Sequence, residues 1–195
     1  MKKSDILLAL EPVVNCFEKL RIPYYIGGSF ASSAYGIARA TADIDMVTQL
    51  HKFHIEEIIK ELSSDYFIDE PMILEAVKTQ SSFNILHLAT GIKIDIFLLG
   101  DSEYSQKTAE RIKRDTFNDG TGEVEIYLCS AEDIILNKLL WFKKGNMTSQ
   151  KQWLDILGVV KVQKGLLDIK YLEYWSAKLE VKDLFNKALL ESEEN

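Results

Sequence analysis

Two aspartates lie two residues apart in the segment Asp43-Ile-Asp45-Met-Val, where acidic and apolar residues alternate. This alternation predicts a β-strand over Ala42 to Val47, with both carboxylates on one face and Ile44 and Met46 toward the core. Neighbouring carboxylates repel each other unless a cation lies between them. Oxygen ligands at this spacing suit Mg²⁺, which takes one or two carboxylates and completes its shell with water and phosphate oxygens. We therefore predict a magnesium site here, whereas the simpler alternative is an exposed strand edge.

A third acid, Asp95, lies in the apolar run Lys93-Ile-Asp95-Ile-Phe-Leu-Leu. A lone carboxylate in such a strand is costly to bury without partners. If this strand lies beside the one that carries Asp43 and Asp45, the three acids converge. Three acids can hold two metal ions that stabilise the attacking and leaving oxygens of a displacement reaction. Alternatively, Asp95 pairs with Lys93 or with another cation.

The segment Gly27-Gly28-Ser29 stands between a predicted strand and a predicted short helix of small residues. Glycines allow the backbone to approach a phosphate closely, and a helix N-terminus offers free N–H groups with a positive dipole end. The alternative is a plain turn. Together with a metal-binding carboxylate pair, a phosphate cradle of this kind predicts a protein that handles a nucleoside triphosphate.

Three further residues are candidates for nucleotide binding. Arg39 and Thr41 precede the aspartates at even steps, and Arg39 either contacts phosphate or orders the loop. Lys138 lies within the apolar arc of a predicted helix. Its ammonium either reaches the triphosphate or extends into water while its aliphatic part stays on the apolar face.

The remaining sequence must position these residues. Apolar periodicity and turn residues indicate alternating strands and helices up to about Ser130, including a hairpin of Phe83 to Leu88 with Ile92 to Leu99. A polar helix is predicted over Ser102 to Lys113, and from Ser130 onward four successive segments have helical spacing. We predict an α/β (α+β) fold: a catalytic domain, 1–129, with a small mixed β-sheet flanked by helices, followed by a helical C-terminal region, 130–195.

Composition narrows the functional classes. The 195 residues are 47% hydrophobic, and 23 Lys and Arg stand against 30 Asp and Glu, giving a formal net charge of -7. This acidic balance argues against general binding of duplex nucleic acid, though not against nucleotides. No stretch approaches the roughly 20 apolar residues of a membrane span, and Cys16 and Cys129 are interpreted as reduced thiols. We expect a soluble, cytoplasmic protein.

The order of these motifs resembles a known family. Gly-Gly-Ser, then Arg-x-Thr-x-Asp-x-Asp flanked by apolar residues, then a distant Asp in an apolar strand is similar to the nucleotidyltransferase superfamily of DNA polymerase β. The resemblance is greater to its small bacterial branch, which includes minimal nucleotidyltransferases, antibiotic nucleotidyltransferases and the nucleotidyltransferases of toxin–antitoxin and abortive-infection systems. The segment from Ala131 to Leu140 also resembles the helix with which the second part of the chain begins in proteins of that branch.

The resemblance implies Mg²⁺-dependent transfer of a nucleoside monophosphate from an NTP, with ATP expected first, to a hydroxyl group. Asp43 and Asp45 would hold the metal ions, and Gly28 and Ser29 would bind the triphosphate. Asp95 would share a metal and activate the acceptor hydroxyl. The family's later Arg-x-x-x-Asp pattern differs here, because Lys151 precedes Asp155 and lacks the guanidinium fork.

The acceptor and the protein partners stay open at this stage. A small molecule, a protein side chain and a tRNA end are all candidate acceptors, and a cognate toxin or antitoxin protein is a candidate partner. One alternative is a non-catalytic member that binds nucleotide or a partner protein. Another is a sugar-nucleotide glycosyltransferase, which also uses an Asp-x-Asp pair but leaves Gly-Gly-Ser and Asp95 unexplained.

Overall fold

The computed structural model describes residues 3–39, 41 and 43–194. Within these ranges the chain forms nine α-helices, a short 3-10 helix and seven β-strands. The strands are β1 (Tyr24–Ile26), β2 (Asp43–Thr48), β3 (Tyr66–Phe67), β4 (Ser82–His87), β5 (Lys93–Leu98), β6 (Lys113–Asn118) and β7 (Glu123–Leu128). The helices are α1 (Asp5–Lys19), α2 (Gly28–Tyr35), α3 (Ile55–Leu62), α4 (Glu70–Thr79), α5 (Glu103–Glu110), α6 (Ala131–Lys144), α7 (Gln150–Val162), α8 (Ile169–Lys178) and α9 (Lys182–Glu194), with the 3-10 helix at Lys52–His54.

All seven described strands belong to one mixed sheet in the order β3-β4-β5-β2-β1-β7-β6. The pairs β2/β5 and β1/β7 are parallel, and the other neighbouring pairs are antiparallel. The structure therefore confirms the predicted mixed sheet and the predicted hairpin of β4 and β5. Ala42, the first residue of the predicted strand, lies outside the described residues.

The chain packs as two units. The first comprises residues 1–26 and 41–128, which hold the sheet and helices α1, α3, α4 and α5. Alternate residues of the central strands are buried, among them Ile44 and Ile94, which are at most 1% exposed. On β3, the buried hydroxyl of Tyr66 donates to the carbonyl oxygen of Ala9 on α1 at 2.7 Å. One face of the sheet thus forms the core of this unit, while the residues between remain partly exposed.

The second unit comprises residues 27–40 and 129–195, and therefore groups α2 with helices α6 to α9. Gly36, which ends α2, shows how closely these helices pack. A Cβ atom at that position would lie 2.8 Å from the backbone nitrogen of Val159 in α7, so only glycine fits there. The division into a catalytic domain, 1–129, and a helical region, 130–195, stays a prediction.

Two elements differ from the sequence-based interpretation. The predicted helix over Ser102 to Lys113 ends at Glu110, because Lys113 pairs with Leu128 and begins β6. Tertiary pairing thus outweighs local helix propensity at this point. Strand β3 was not predicted, since two residues are too short for a recognisable alternation. None of the helices in the described part of the chain has both the length and the hydropathy needed to cross a membrane.

Candidate functional site

The register of β2 and β5 determines how the three predicted acids are arranged. Asp45 is the register partner of Asp95, and Asp43 is the partner of Lys93. Asp43 is exposed and Asp45 and Asp95 are partly exposed, whereas Ile44 is buried. The predicted orientation of β2 is thus confirmed, and the parallel pairing places all three acids on the partly exposed face of the sheet. We call Asp43, Asp45, Asp95 and Lys93 the acid cluster.

Lys93 is the cation of the acid cluster. Its Nζ atom lies 2.6 Å from Oδ2 of Asp95, with 41% of the lysine side chain exposed. The hydrogen bond to Asp95 is the largest cause of a raised pKa of Lys93; burial opposes it, and the charges of Asp95, Asp43 and Asp45 add to the increase. The ammonium thus lies in the electrostatic field of all three acids, and the predicted alternative of an Asp95–Lys93 pair is present.

The acid cluster has the donor chemistry that a magnesium ion requires. Asp45 and Asp95 are neighbours across the parallel strands, and their oxygen atoms are hard ligands. Among the residues that the structure describes, no group of three or more His, Cys, Asp or Glu side chains could by itself hold a metal ion. The donor set therefore fits Mg²⁺ bound by two carboxylates with other oxygens from water or phosphate, and a two-metal site stays a prediction.

Thr41 contacts the start of the acid-bearing strand. Its hydroxyl donates to the main-chain carbonyl of Asp43 at 3.1 Å. This bond links Thr41 to the first residue of β2, so the contact seen here is a structural one. The predicted role of Thr41 in nucleotide binding stays a prediction.

The Gly27-Gly28-Ser29 segment forms the start of α2 in the second unit. Gly28 has φ of 56°, in the left-handed region that glycine adopts without strain. Gly27 is the N-cap residue and provides no side-chain cap. Ser29 accepts a hydrogen bond through Oγ from Nη2 of Arg39 at 2.6 Å. The predicted short helix is present, and Ser29 in its first turn contacts Arg39.

Arg39, Lys138 and Asp155 form an ionic network within the second unit, which we call the basic cluster; Lys138 and Asp155 are buried and Arg39 is partly exposed. The Nε and Nη2 atoms of Arg39 each lie 2.7 Å from one oxygen of Asp155, so the guanidinium binds the carboxylate in a two-pronged manner. The Nζ atom of Lys138 donates to Oδ2 of Asp155 at 2.8 Å and to Oε1 of Gln152 at 3.1 Å. The two cations therefore share a single carboxylate.

The environment of the basic cluster favours its charged forms. Burial alone would raise the pKa of Asp155, but hydrogen bonds and charges from Arg39 and Lys138 more than offset that effect, and the net pKa lies below its ordinary value. The hydrogen bond with Asp155 in turn raises the pKa of Arg39. Asp155 and Arg39 are consequently charged at neutral pH.

Sequence reasoning missed the central residue of this network. The Arg-x-x-x-Asp pattern relates Asp155 only to Lys151, which is exposed. In the structure the partners of Asp155 are Arg39 and Lys138. Lys138 is 3% exposed, so its ammonium does not extend into water as the alternative interpretation required. The available signal was an acid and a lysine at apolar helix positions, since each needs a partner when buried.

The predicted site residues thus fall into two sets. The first unit holds Asp43, Asp45, Asp95 and Thr41, and the second unit holds Gly27, Gly28, Ser29, Arg39 and Lys138. Within the first set the structure brings the acids together around Lys93. Within the second, Arg39 contacts Ser29 directly and shares Asp155 with Lys138. The catalytic, metal-binding and nucleotide-binding roles of these residues stay predictions.

Solved structures of similar fold include an adenylyltransferase, an adenylyl-aminoglycoside complex and a nucleotidyltransferase-like protein. ANT(2")-Ia in complex with adenylyl-2"-tobramycin has a TM-score of 0.56 at 11% identity, over 91% of this chain and 98% of that chain. The lincosamide antibiotic adenylyltransferase LnuA with lincomycin bound has a TM-score of 0.52 at 16% identity, over 83% of this chain and 99% of that chain.

An antigenic nucleotidyltransferase-like protein from Paracoccidioides brasiliensis has a TM-score of 0.51 at 16% identity, over 95% of this chain and 93% of that chain. No protein-family model and no curated protein sequence matches the chain. At these identities the likeness establishes the fold, which is the nucleotidyltransferase fold that the sequence resemblance implied.

Proposed function

We propose that this protein is a Mg²⁺-dependent nucleotidyltransferase that moves a nucleoside monophosphate from an NTP to a hydroxyl group and releases pyrophosphate. The observation that carries the proposal is the pairing of Asp45 with Asp95 on parallel strands of a nucleotidyltransferase fold. That pairing unites two acids that are distant in sequence on a solvent-accessible sheet face. A purely structural role would not require acids there.

In this proposal Asp43, Asp45 and Asp95 supply the metal ligands, with Asp45 and Asp95 as the pair that binds one ion. When bound, Mg²⁺ supplies Lewis-acid stabilisation of the negative charge that builds up on phosphate oxygens. Asp95 has a second task, because a carboxylate next to the acceptor can take the proton from the attacking hydroxyl. The oxygen of that hydroxyl then forms a bond to the α-phosphorus, and the bond from the α-phosphorus to the bridging oxygen breaks as pyrophosphate leaves.

The residues at the start of α2 are proposed to bind the triphosphate. The backbone N–H groups of Gly28 and Ser29 belong to the first turn of α2, where N–H groups lack partners within the helix. Arg39 hydrogen bonds Ser29 and contributes positive charge beside that turn. Gly27, Thr41 and Lys138 complete the proposed nucleotide-binding set, with Lys138 acting through the network that orients Arg39.

ATP is the proposed nucleotide, and the proposed acceptor is a small molecule that carries a hydroxyl group. Both choices are supported by solved structures of similar fold, which include an adenylyltransferase with lincomycin bound and a complex with adenylyl-2"-tobramycin. A protein or a tRNA end is the alternative acceptor. A cognate toxin or antitoxin partner and a cytoplasmic location stay predictions.

Calorimetric titration with ATP tests the proposal without knowledge of the acceptor. Binding should require Mg²⁺ and disappear in EDTA, because the acids and the triphosphate repel each other without it. Asp45→Asn should weaken Mg·ATP binding by roughly tenfold or more through loss of a metal ligand. Asp95→Asn should weaken it less, because the proposed second task of Asp95 concerns the acceptor.

Asp101→Asn is the matched control, since Asp101 is an exposed acid of the same unit outside the acid cluster. It should bind Mg·ATP as the unaltered protein does. Equal ATP affinity with Mg²⁺ and with EDTA would contradict the metal site. Metal-dependent binding without transfer to any hydroxyl in a screen of small molecules, proteins and tRNA would favour the non-catalytic alternative.

A further inference from the structure

Lys93 holds a position in the acid cluster that the proposed function does not use. It lies two residues before Asp95 on β5, so both side chains leave the same face of the strand. Its register partner on β2 is Asp43, and its ammonium lies 2.6 Å from a carboxylate oxygen of Asp95. The strand register thus places Lys93 beside Asp43 and on the same face as Asp95.

The ammonium of Lys93 reduces the repulsion among the acids but repels a metal ion that binds them. Acids on neighbouring strands repel each other, and an ammonium among them reduces that repulsion. A divalent cation that binds the same oxygens would meet the ammonium as a like charge at close range. The two cations therefore compete for Asp95, and the side chain of Lys93, which is 41% exposed, has solvent into which it can move.

We propose that Lys93 is an internal counter-ion of the acid cluster, which a divalent metal ion must displace from Asp95 in order to bind. The inference rests on the proposed function, because it takes the acid cluster as the metal site. It assigns Lys93 a positioning role: the ammonium keeps the carboxylates together in the metal-free protein and lowers the affinity for free metal. Free Mg²⁺ then binds more weakly than the carboxylates alone would allow.

Titration with Mn²⁺, followed by the electron paramagnetic resonance signal of the free ion, tests the inference without an activity assay. Lys93→Met keeps the aliphatic stem and removes the charge, so it should bind Mn²⁺ about twofold to fivefold more tightly than the unaltered protein, in keeping with the modest strength of a partly exposed charge pair. Lys93→Arg, which keeps the charge, should stay close to the unaltered affinity.

Lys52→Met is the control for net charge, since Lys52 is exposed and lies in the 3-10 helix of the same unit. It should leave the Mn²⁺ affinity unchanged. Unchanged or weaker binding by Lys93→Met, in a protein that circular dichroism shows to be folded, would overturn the inference alone. Absence of Mn²⁺ binding in every variant would overturn the proposed metal site and the inference with it.

Discussion

The acid cluster and the basic cluster have opposite balances of charge and differ in burial. On the partly exposed sheet face, three carboxylates accompany one ammonium, whereas in the second unit one buried carboxylate accompanies two cations. Asp155 has 6% of its side chain exposed, and Asp95 has 22%. A buried charge must be paired to be tolerated, while a solvated face can keep an excess of one sign. Burial therefore distinguishes a network that holds the fold from a cluster that can exchange ions.

The largest effect is expected at the basic cluster. Asp155→Asn leaves Arg39 and the buried Lys138 without their shared carboxylate, so the free energy of unfolding should fall by about 3 kcal/mol. Urea denaturation at neutral pH measures the change. Glu75→Gln is the control, because it disrupts an exposed ion pair with Lys78 and should have no measurable effect. A loss as small for Asp155→Asn as for the control would show that the network does not hold the fold.

Acidification should reduce the difference in unfolding free energy between the unaltered protein and the Asp155→Asn variant. The pKa of Asp155 in the folded protein lies below the ordinary value of 3.8, so its stabilising contribution is present above pH 3.8 and is lost as the pH falls through the folded-state pKa. The gap in unfolding free energy between the unaltered protein and Asp155→Asn should therefore be full at pH 6 and narrower below about pH 3.8. Urea denaturation at pH 6 and at a pH below about 3.8 measures this gap. A gap that does not change with pH would contradict the assignment of the stabilisation to ionised Asp155.

The smallest effect on stability is expected at the acid cluster. Asp95→Asn removes a partly exposed ion pair with Lys93 and also relieves repulsion from Asp45, so the free energy of unfolding should change by less than about 1 kcal/mol. Urea denaturation of this variant beside Asp155→Asn gives the comparison directly. A larger loss for Asp95→Asn would mean that the acid cluster, too, is primarily structural.

Much of this fold could be predicted from sequence because local signals were strong. The alternation around Asp43 and Asp45 gave the strand and its orientation, and the run around Asp95 gave β5. The predicted convergence of the acids required β2 and β5 to be neighbours, but local patterns do not establish this, because strand pairing depends on the whole sheet. The register of Asp45 with Asp95 therefore became known only from the structure.

The basic cluster illustrates what local patterns do not contain. Arg39 and Asp155 are far apart in sequence, and the two-pronged contact between them arises because α2 packs with the C-terminal helices. The family's Arg-x-x-x-Asp pattern relates Asp155 only to Lys151, which faces solvent. A pattern within one helix therefore does not contain the distant partners of Asp155.

The parallel pairing of β2 with β5 has a thermodynamic consequence. Parallel neighbours need a long crossover connection, and here the chain between Asp45 and Asp95 passes through α3, α4 and two further strands. Asp45 and Asp95 are thus neighbours only in the native state, and the unfolded chain has no such pair. A cation that uses both carboxylates binds the native protein alone, so by mass action its affinity converts into folding free energy, about 2.7 kcal/mol at a concentration one hundred times Kd.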